Sequence, residues 1–381
     1  MGKYTVQGSA EFEQQVDSDL QRVVDAIHSL PQAKSVLAVV LAGGYGRGEG
    51  TPFLENGIQK PFNDYDLIVI SQNLSKSEFN SLKESIRQLE QPLTEAIGIH
   101  IDLYLHSPST LKHAEPSLLN FEVRYGHRVI HGPQDILEAM PNYSLTDVPL
   151  DEGTRLLLNR GKLLLDVKVG LGGDSPLSEE KIQRFKKFIW KSHLAFGDCL
   201  LLAFGNYDVS YREKAKRIES YLTEEDLPDP QWMISRYLKA IEFKFNGDLS
   251  VLGLDDLYHA FSDTVRYYLG FLLWYEGRRL GTALPSLQTY CAKLPLCSTS
   301  GKQKVKALAL NGSLLGAGMF SPNYRWALMH PRNRLYPALW LLLSFESSIH
   351  MDLGLMIQLL NGDRNYGKLL QRFYDLRARL A

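Results

Sequence analysis

Val36-Leu37-Ala38-Val39-Val40-Leu41 runs into Ala42-Gly43-Gly44-Tyr45-Gly46-Arg47-Gly48-Glu49-Gly50, and two later segments answer it, Asn63-Asp64-Tyr65-Asp66-Leu67-Ile68-Val69-Ile70 and Ile99-His100-Ile101-Asp102-Leu103-Tyr104-Leu105. The first six residues are apolar and three of them are β-branched valines, a short run that reads as a buried strand, and the glycines read as a tight turn leaving it. Side chains alternate along a strand, so Asp64 and Asp66 share one face of the second segment. In the third, Ile99, Ile101, Leu103 and Leu105 share a face, and His100, Asp102 and Tyr104 take the other. Three carboxylates from two neighbouring strands are therefore expected to converge beside a glycine-rich turn. That arrangement suits a divalent metal ion and phosphate.

Working outward, residues 11–30 place Phe12, Val16, Leu20, Val23, Val24 and Ile27 at helical spacing, with Pro31 at the end, and predict an amphipathic helix over the first strand. Residues 51–62, with Pro52, Gly57 and Pro61, read as a loop. Ser75-Lys76-Ser77-Glu78 is a capping-box pattern opening a helix to about residue 90. A helix over 111–123 and a short strand over 128–133 follow. From Pro149 onward helical periodicity takes over, in 151–168, 178–204, 211–222, 231–245, 255–276, 331–347 and 365–380. Residues 170–176 and 228–230 read as turns, and 298–322, rich in Gly, Ser and Asn, as an exposed loop. The expected fold class is α+β: a small mixed-sheet domain over 1–148, then an all-α domain over 149–381.

A length of 381 residues accommodates two domains of roughly 100–200 residues each. Hydrophobic residues at 44% and charged residues at 22% supply ordinary cores and exclude a disordered chain. The net charge of −1 argues against a general nucleic-acid binder. Cys199, Cys291 and Cys297 form no CxxC pair, which fits a reduced protein better than a disulfide framework or zinc site. Met1-Gly2-Lys3-Tyr4-Thr5 lacks the apolar core of a signal peptide, and the greasiest run, Ala338-Leu339-Trp340-Leu341-Leu342-Leu343, is too short to span a bilayer. A cytoplasmic protein with no membrane partner is expected.

The acids and glycines carry the chemistry. Nucleotidyl transfer uses two Mg²⁺ ions roughly 3.5–4 Å apart, which takes several carboxylates on one rigid face. A D-x-D pair alone is as readily an ordinary strand edge. The glycine turn before it and an acid inside an apolar strand after it favour the metal reading. Gly43 and Gly44 allow close approach of a backbone to phosphate, and Arg47 would add a charge-assisted contact. No GxxxxGK[ST] pattern occurs, and Gly44-x-Gly46 does not extend to a dinucleotide fingerprint.

Gly43-Gly44-Tyr45-Gly46-Arg47-Gly48-Glu49, followed by Asp64-x-Asp66 and Asp102, resembles the DNA polymerase β-type nucleotidyltransferase superfamily over roughly residues 35–135. The glycine motif is most similar to the catalytic domain of bacterial protein-PII uridylyltransferases. The resemblance implies that Gly43 and Gly44 contact the nucleotide phosphates, that Asp64 and Asp66 bind both metals, and that Asp102 completes the site. The interval from Glu49 to Asp64 is longer than in those enzymes, and neither an HD-type phosphohydrolase motif nor an ACT-like tail is present, which turns the expected acceptor away from PII. A nucleotidyltransferase domain followed by a helical bundle is also the plan of aminoglycoside nucleotidyltransferases. Against that plan, residues 205–214 resemble the place where those enzymes put a serine and a lysine near the phosphates, which makes Arg212 and Lys214 candidate triphosphate contacts. Their plain alternative is a solvated basic helix face.

The expected activity is Mg²⁺-dependent transfer of a nucleoside monophosphate from a nucleoside triphosphate, ATP foremost, to a hydroxyl of a small molecule or protein, with pyrophosphate released. Nucleic acid is not the expected acceptor. Two other readings stand beside it: a non-catalytic nucleotide-binding module of regulatory or antitoxin type, and a toxin-like enzyme that modifies tRNA.

Overall fold

The periodicities of the first 150 residues become a layered α+β unit. The computed structural model describes residues 2–173, 176–292, 301–322, 324–345 and 353–380. In chain order its first elements are α1 (Ala10–His28), β1 (Val36–Leu41), the single turn α2 (Gly43–Gly46), β2 (Pro52–Glu55), β3 (Ile58–Pro61), β4 (Asp64–Ser71), α3 (Lys76–Ile97), β5 (His100–His106), α4 (Pro108–Lys112), α5 (Leu118–Tyr125) and β6 (Arg128–His131). Helices then dominate: α6 (Asp151–Leu171), α7 (Glu179–Ala203), α8 (Tyr211–Ile218), α9 (Pro230–Asn246), α10 (Leu257–Leu280), α11 (Leu287–Ala292), α12 (Gly301–Leu315), α13 (Arg332–Ser344), α14 (Gly354–Leu360) and α15 (Tyr366–Arg379). None of these helices is long and apolar enough to cross a membrane.

A mixed four-stranded sheet runs in the order β5-β4-β1-β6, with β4 and β5 parallel and β1 antiparallel to both its neighbours. The two central strands are buried on both faces. Val39, Leu41, Tyr65, Leu67, Val69, Ile101 and Leu103 pack beneath apolar residues of α1 and α3. Ala38, Val40, Ile68 and Ile70 pack on the opposite side against Leu111 of α4, Val123 of α5 and Val129. This second face also carries Asp64 and Asp66, which sit half-buried at the start of β4. Ser75 and Glu78 form the reciprocal capping box the sequence announces, and α3 continues through Pro92 to Ile97, past the expected end, until Gly98 turns left-handed at φ 83°.

Two stretches expected as loops are regular. Residues 51–62 form the hairpin β2–β3, which turns on Asn56 and Gly57, both at positive φ. Asn-Gly is the dipeptide that two-residue hairpins prefer, and its signal was masked by Pro52 and Pro61, which pair with each other at the open end. The exposed loop expected over 298–322 is corrected by α12: good helix formers fill 302–310, and buried Asn311 donates to the Ala327 and Met329 carbonyls at 3.1 and 2.7 Å. Residues 298–300 of that stretch, 174–175 of the Gly/Pro turn, 346–347 of an expected helix, and Cys297 lie outside the described residues.

The chain divides into two compact units that interleave along the sequence. The first comprises Met1–Glu152, Phe204–Tyr221 and Ile234–Gly253; the second takes 153–203, 222–233 and the described residues from 254 onward. The region expected as one helical domain over 149–381 thus lends α8 and most of α9 to the sheet unit. Docking of α9 has a clear physical basis. Phe53 and Phe62 of the hairpin region stack at 4.9 Å between ring centres, and Phe243 of α9 meets both edge-on. In the helical unit, Tyr268 donates to the Leu157 carbonyl at 2.7 Å and accepts from Trp340 at 3.1 Å, at the centre of an aromatic core.

Candidate active site

The site begins where β1 ends. Ala42 N–H donates to the Asp66 carbonyl at 2.8 Å, which ties the glycine turn to the head of β4. Gly43 then takes φ 61°, the left-handed region that glycine alone enters without strain. A side chain there would also run into Asp66 Oδ2. At Gly44 a Cβ would stand 3.0 Å from Lys244 Nζ and 3.3 Å from the Glu49 carbonyl. The Gly-Gly peptide is therefore flanked by a carboxylate on one side and an ammonium on the other.

The acids meet across the parallel pair β4–β5. Asp66 lies in register with Asp102, and Asp64 with His100. His100 Nε2 sits 3.2 Å from Asp102 Oδ1, and the Asn63 amide donates to Asp64 Oδ1. Tyr104 reports on all three. Burial pushes its hydroxyl above the usual phenol range, and the charges of Asp102, Asp66 and Asp64 push it the same way. Among the described residues, no three His, Cys, Asp or Glu side chains converge into a ready-made metal cage. What stands there is a facing pair, Asp66 and Asp102, with Asp64 one step along the same strand face.

Behind the glycine turn lies a buried charge cluster. The Arg47 guanidinium, 8% exposed, pairs with Glu122 at 3.3 Å. Lys214 is fully buried, 3.9 Å from Glu122 Oε1, with its ammonium over the rings of Tyr207 and Tyr211 at 3.9 and 4.2 Å. Tyr207 donates its hydroxyl to Glu122. Burial alone would raise the Glu122 carboxyl, but the charges of Arg47 and Lys214 and the Tyr207 hydroxyl hold it below the usual range. Lys244, 9% exposed, is the third cation. Its ammonium lies 5.2 Å from the centre of the Tyr211 ring, and no hydrogen bond or ion pair joins it to any described residue. Burial first, then the like charges of Arg47 and Lys214, pull its pKa down to about 8 against the opposing pull of Glu49 and Glu122. Three cations thus share two carboxylates.

No family model and no curated protein matches the chain. Its chemistry has to be read from this geometry.

Glu49, 2% exposed, ends the glycine motif and docks α8. Its carboxylate accepts from Tyr211 N–H at 2.9 Å, from the Ser210 hydroxyl at 2.8 Å and from Arg212 N–H at 3.3 Å. A carboxylate on the first amides of a helix is satisfied by both hydrogen bonds and the helix dipole. Glu49→Gln leaves one of those donors facing an amide N–H, and is expected to lower stability by roughly 1–3 kcal/mol. Urea unfolding would measure it, and amide exchange should quicken first in 204–221. Unchanged exchange there would show that Glu49 does not hold α8.

Of the residues singled out from sequence, Gly43, Gly44, Asp64, Asp66 and Asp102 come together at one end of the sheet. Arg47 and Lys214 lie behind them in the buried cluster, and Arg212 contributes its backbone N–H to Glu49. Sequence reasoning missed Lys244, Glu49 and Glu122. Two of them carried a signal: Lys244 lies between Phe243 and Phe245, and Glu122 between Phe121 and Val123. A charge set in an apolar stretch of helix, if it is buried, needs a partner.

Proposed function

We propose that the sheet unit binds a nucleoside triphosphate, ATP foremost, together with Mg²⁺, and transfers its nucleoside monophosphate to a hydroxyl of a small-molecule or protein acceptor. The observation that carries this reading is the pairing at the Gly43–Gly44 peptide: the Asp66 carboxylate against one glycine, and against the next the Lys244 ammonium, which makes no hydrogen bond or ion pair with a described residue. A buried cation in excess of the carboxylates around it, and ion-paired to neither, is the complement of an anionic ligand.

The donor set suits magnesium in kind. Asp64, Asp66 and Asp102 offer hard carboxylate oxygens, and Mg²⁺ takes such ligands while keeping several waters, so a full protein cage is not required. Bound there, the ion would neutralise phosphate charge and polarise the α-phosphate. In this reading Lys244 holds the phosphate tail, and the absence of side chains at Gly43 and Gly44 lets the nucleotide approach the backbone. Asp102, with His100 against its carboxylate, is the group we assign to orient the acceptor hydroxyl and take its proton. The acceptor oxygen bonds to the α-phosphorus, the bridging α–β P–O bond breaks, and pyrophosphate leaves. Catalysis of this kind is positioning and charge neutralisation.

The test is calorimetric titration of the full chain with each of the four nucleoside triphosphates, with and without Mg²⁺. Saturable, Mg²⁺-dependent binding is expected. Affinity should be level below pH 8 and fall as pH rises beyond it, because the Lys244 ammonium of the free protein loses its proton near pH 8 while the triphosphate stays fully charged; a bound phosphate holds the proton more tightly and so sets the upper end of the decline. Binding indifferent to both Mg²⁺ and pH would defeat the reading. The non-catalytic alternative draws on the partners already held by Asp64 and Asp102, Asn63 and His100. Binding without any release of pyrophosphate in the presence of candidate hydroxyl acceptors would favour it.

A further inference from the structure

The other edge of the sheet carries a pair of histidines from elements far apart in sequence. His28 lies in the last turn of α1 and is exposed, and His131 ends the edge strand β6. Pairing of β6 with β1 is irregular at this point: Val40 faces Val129, but the next partner pair is Val39 with His131, so Ile130 is an extra residue. A bulge of this kind re-aims the side chains that follow it. Without it His131 would keep the parity of Val129, whose face packs against α4 and α5; with it, His131 shares the side of Val39, whose face lies under α1. Gly132 then turns at φ 96° hard against the Leu37 carbonyl and fixes the chain just beyond the ring.

The result is a near contact between ring nitrogens. His28 Nε2 and His131 Nε2 are 3.2 Å apart, with the ring planes at 79° and centroids at 4.4 Å. Two imidazoles bound to one tetrahedral zinc at about 2.0–2.1 Å hold their nitrogens about 3.3 Å apart. The observed spacing is that bite. We infer that His28 and His131 form a two-imidazole site for a divalent transition metal of the zinc, cobalt or nickel class, completed by solvent, that pins the C-terminus of α1 to the β6 edge. It is separate from the acid-bearing end of the sheet and does not depend on nucleotidyl transfer. The competing account of the same geometry is one N–H···N hydrogen bond between neutral rings.

Untagged, chelator-stripped full-length protein titrated with Zn²⁺, and with Co²⁺ as a spectroscopic probe, separates the two. The expected result is one ion bound per chain through the pair, the visible absorption of four-coordinate Co²⁺, and a raised melting temperature with metal. His28→Gln, an exposed change that leaves the fold intact, and His131→Ala should each weaken binding at least roughly tenfold and remove the Co²⁺ signal. The exposed His113→Ala should leave both unchanged. No saturable binding, or binding that survives His28→Gln, or binding that falls with Asp66→Asn instead, would each overturn the inference and leave the pair as a hydrogen bond.

Discussion

Lys244→Met is expected to yield a protein that melts higher than wild type and binds no nucleoside triphosphate. Methionine keeps the length of the chain and most of its packing while removing the charge. In the apo protein that charge is a burden: its pKa, about 8 in the folded state, is well below the ordinary lysine value of 10.5. Because the unfolded state holds the proton more tightly, stability rises with pH between those two values, and below pH 8 the folded state carries the full cost. At 1.36 kcal/mol per pKa unit, removing the charge at pH 7 should stabilise the apo fold by roughly 3 kcal/mol, as an upper figure. The substitution also balances the cluster, leaving Arg47 and Lys214 with Glu49 and Glu122. Urea unfolding of both proteins from pH 7 to 10.5 should show the advantage of the methionine variant shrinking toward zero. A variant that melts lower and still binds nucleotide would show that Lys244 is an ordinary structural lysine.

Asp66→Asn should cost nucleotide binding and transfer without harming the fold. The amide preserves shape, and the Asp66 backbone carbonyl that receives Ala42 N–H is untouched. Relieving repulsion between the facing carboxylates of β4 and β5 should leave the melting temperature unchanged or slightly higher. On the proposed function the change removes a metal ligand, which should abolish Mg²⁺-dependent nucleotide binding and slow transfer by at least about three orders of magnitude, or about 4 kcal/mol of barrier. Glu55→Gln is the control, since Glu55 sits in the hairpin with an exposed partner, Lys60, at 2.5 Å, and its loss should leave activity intact. If Asp66→Asn unfolds the protein while Mg²⁺ makes no difference to wild-type nucleotide affinity, the acids are structural and the catalytic reading fails.

The sheet was legible because its period-2 pattern is strong: the alternation in β4 and β5 already divides buried Tyr65, Leu67, Ile101 and Leu103 from the acid-bearing face. The hairpin and α12 were obscured by composition, prolines in one and Gly/Ser/Asn richness in the other, though local turn chemistry and buried Asn311 decide both. The acid positions could be read because strand geometry links residues close in sequence. Lys244 could not be assigned a partner that way. Its neighbour Gly44 lies two hundred residues earlier, and the docking of α9 on the hairpin, by Phe243 against Phe53 and Phe62 and by Leu54 N–H on the Gly247 carbonyl, brings the two together. The pairing of Arg47 with Glu122 could not be read for the same reason, since the two are far apart in sequence.

Interleaving of the two units has a consequence for synthesis. A ribosome delivers the four strands, the glycine turn and all three aspartates well before it delivers α9, and the sheet unit is not complete until residue 253 has emerged. Domains folding from the N-terminus as they appear would here meet a sheet whose Arg47 and Glu122 are already present while Lys214 and Lys244 are still untranslated. The nascent sheet therefore waits on residues from beyond the first segment of the second unit. In vivo, the buried charge cluster behind the glycine turn should be completed only late in translation.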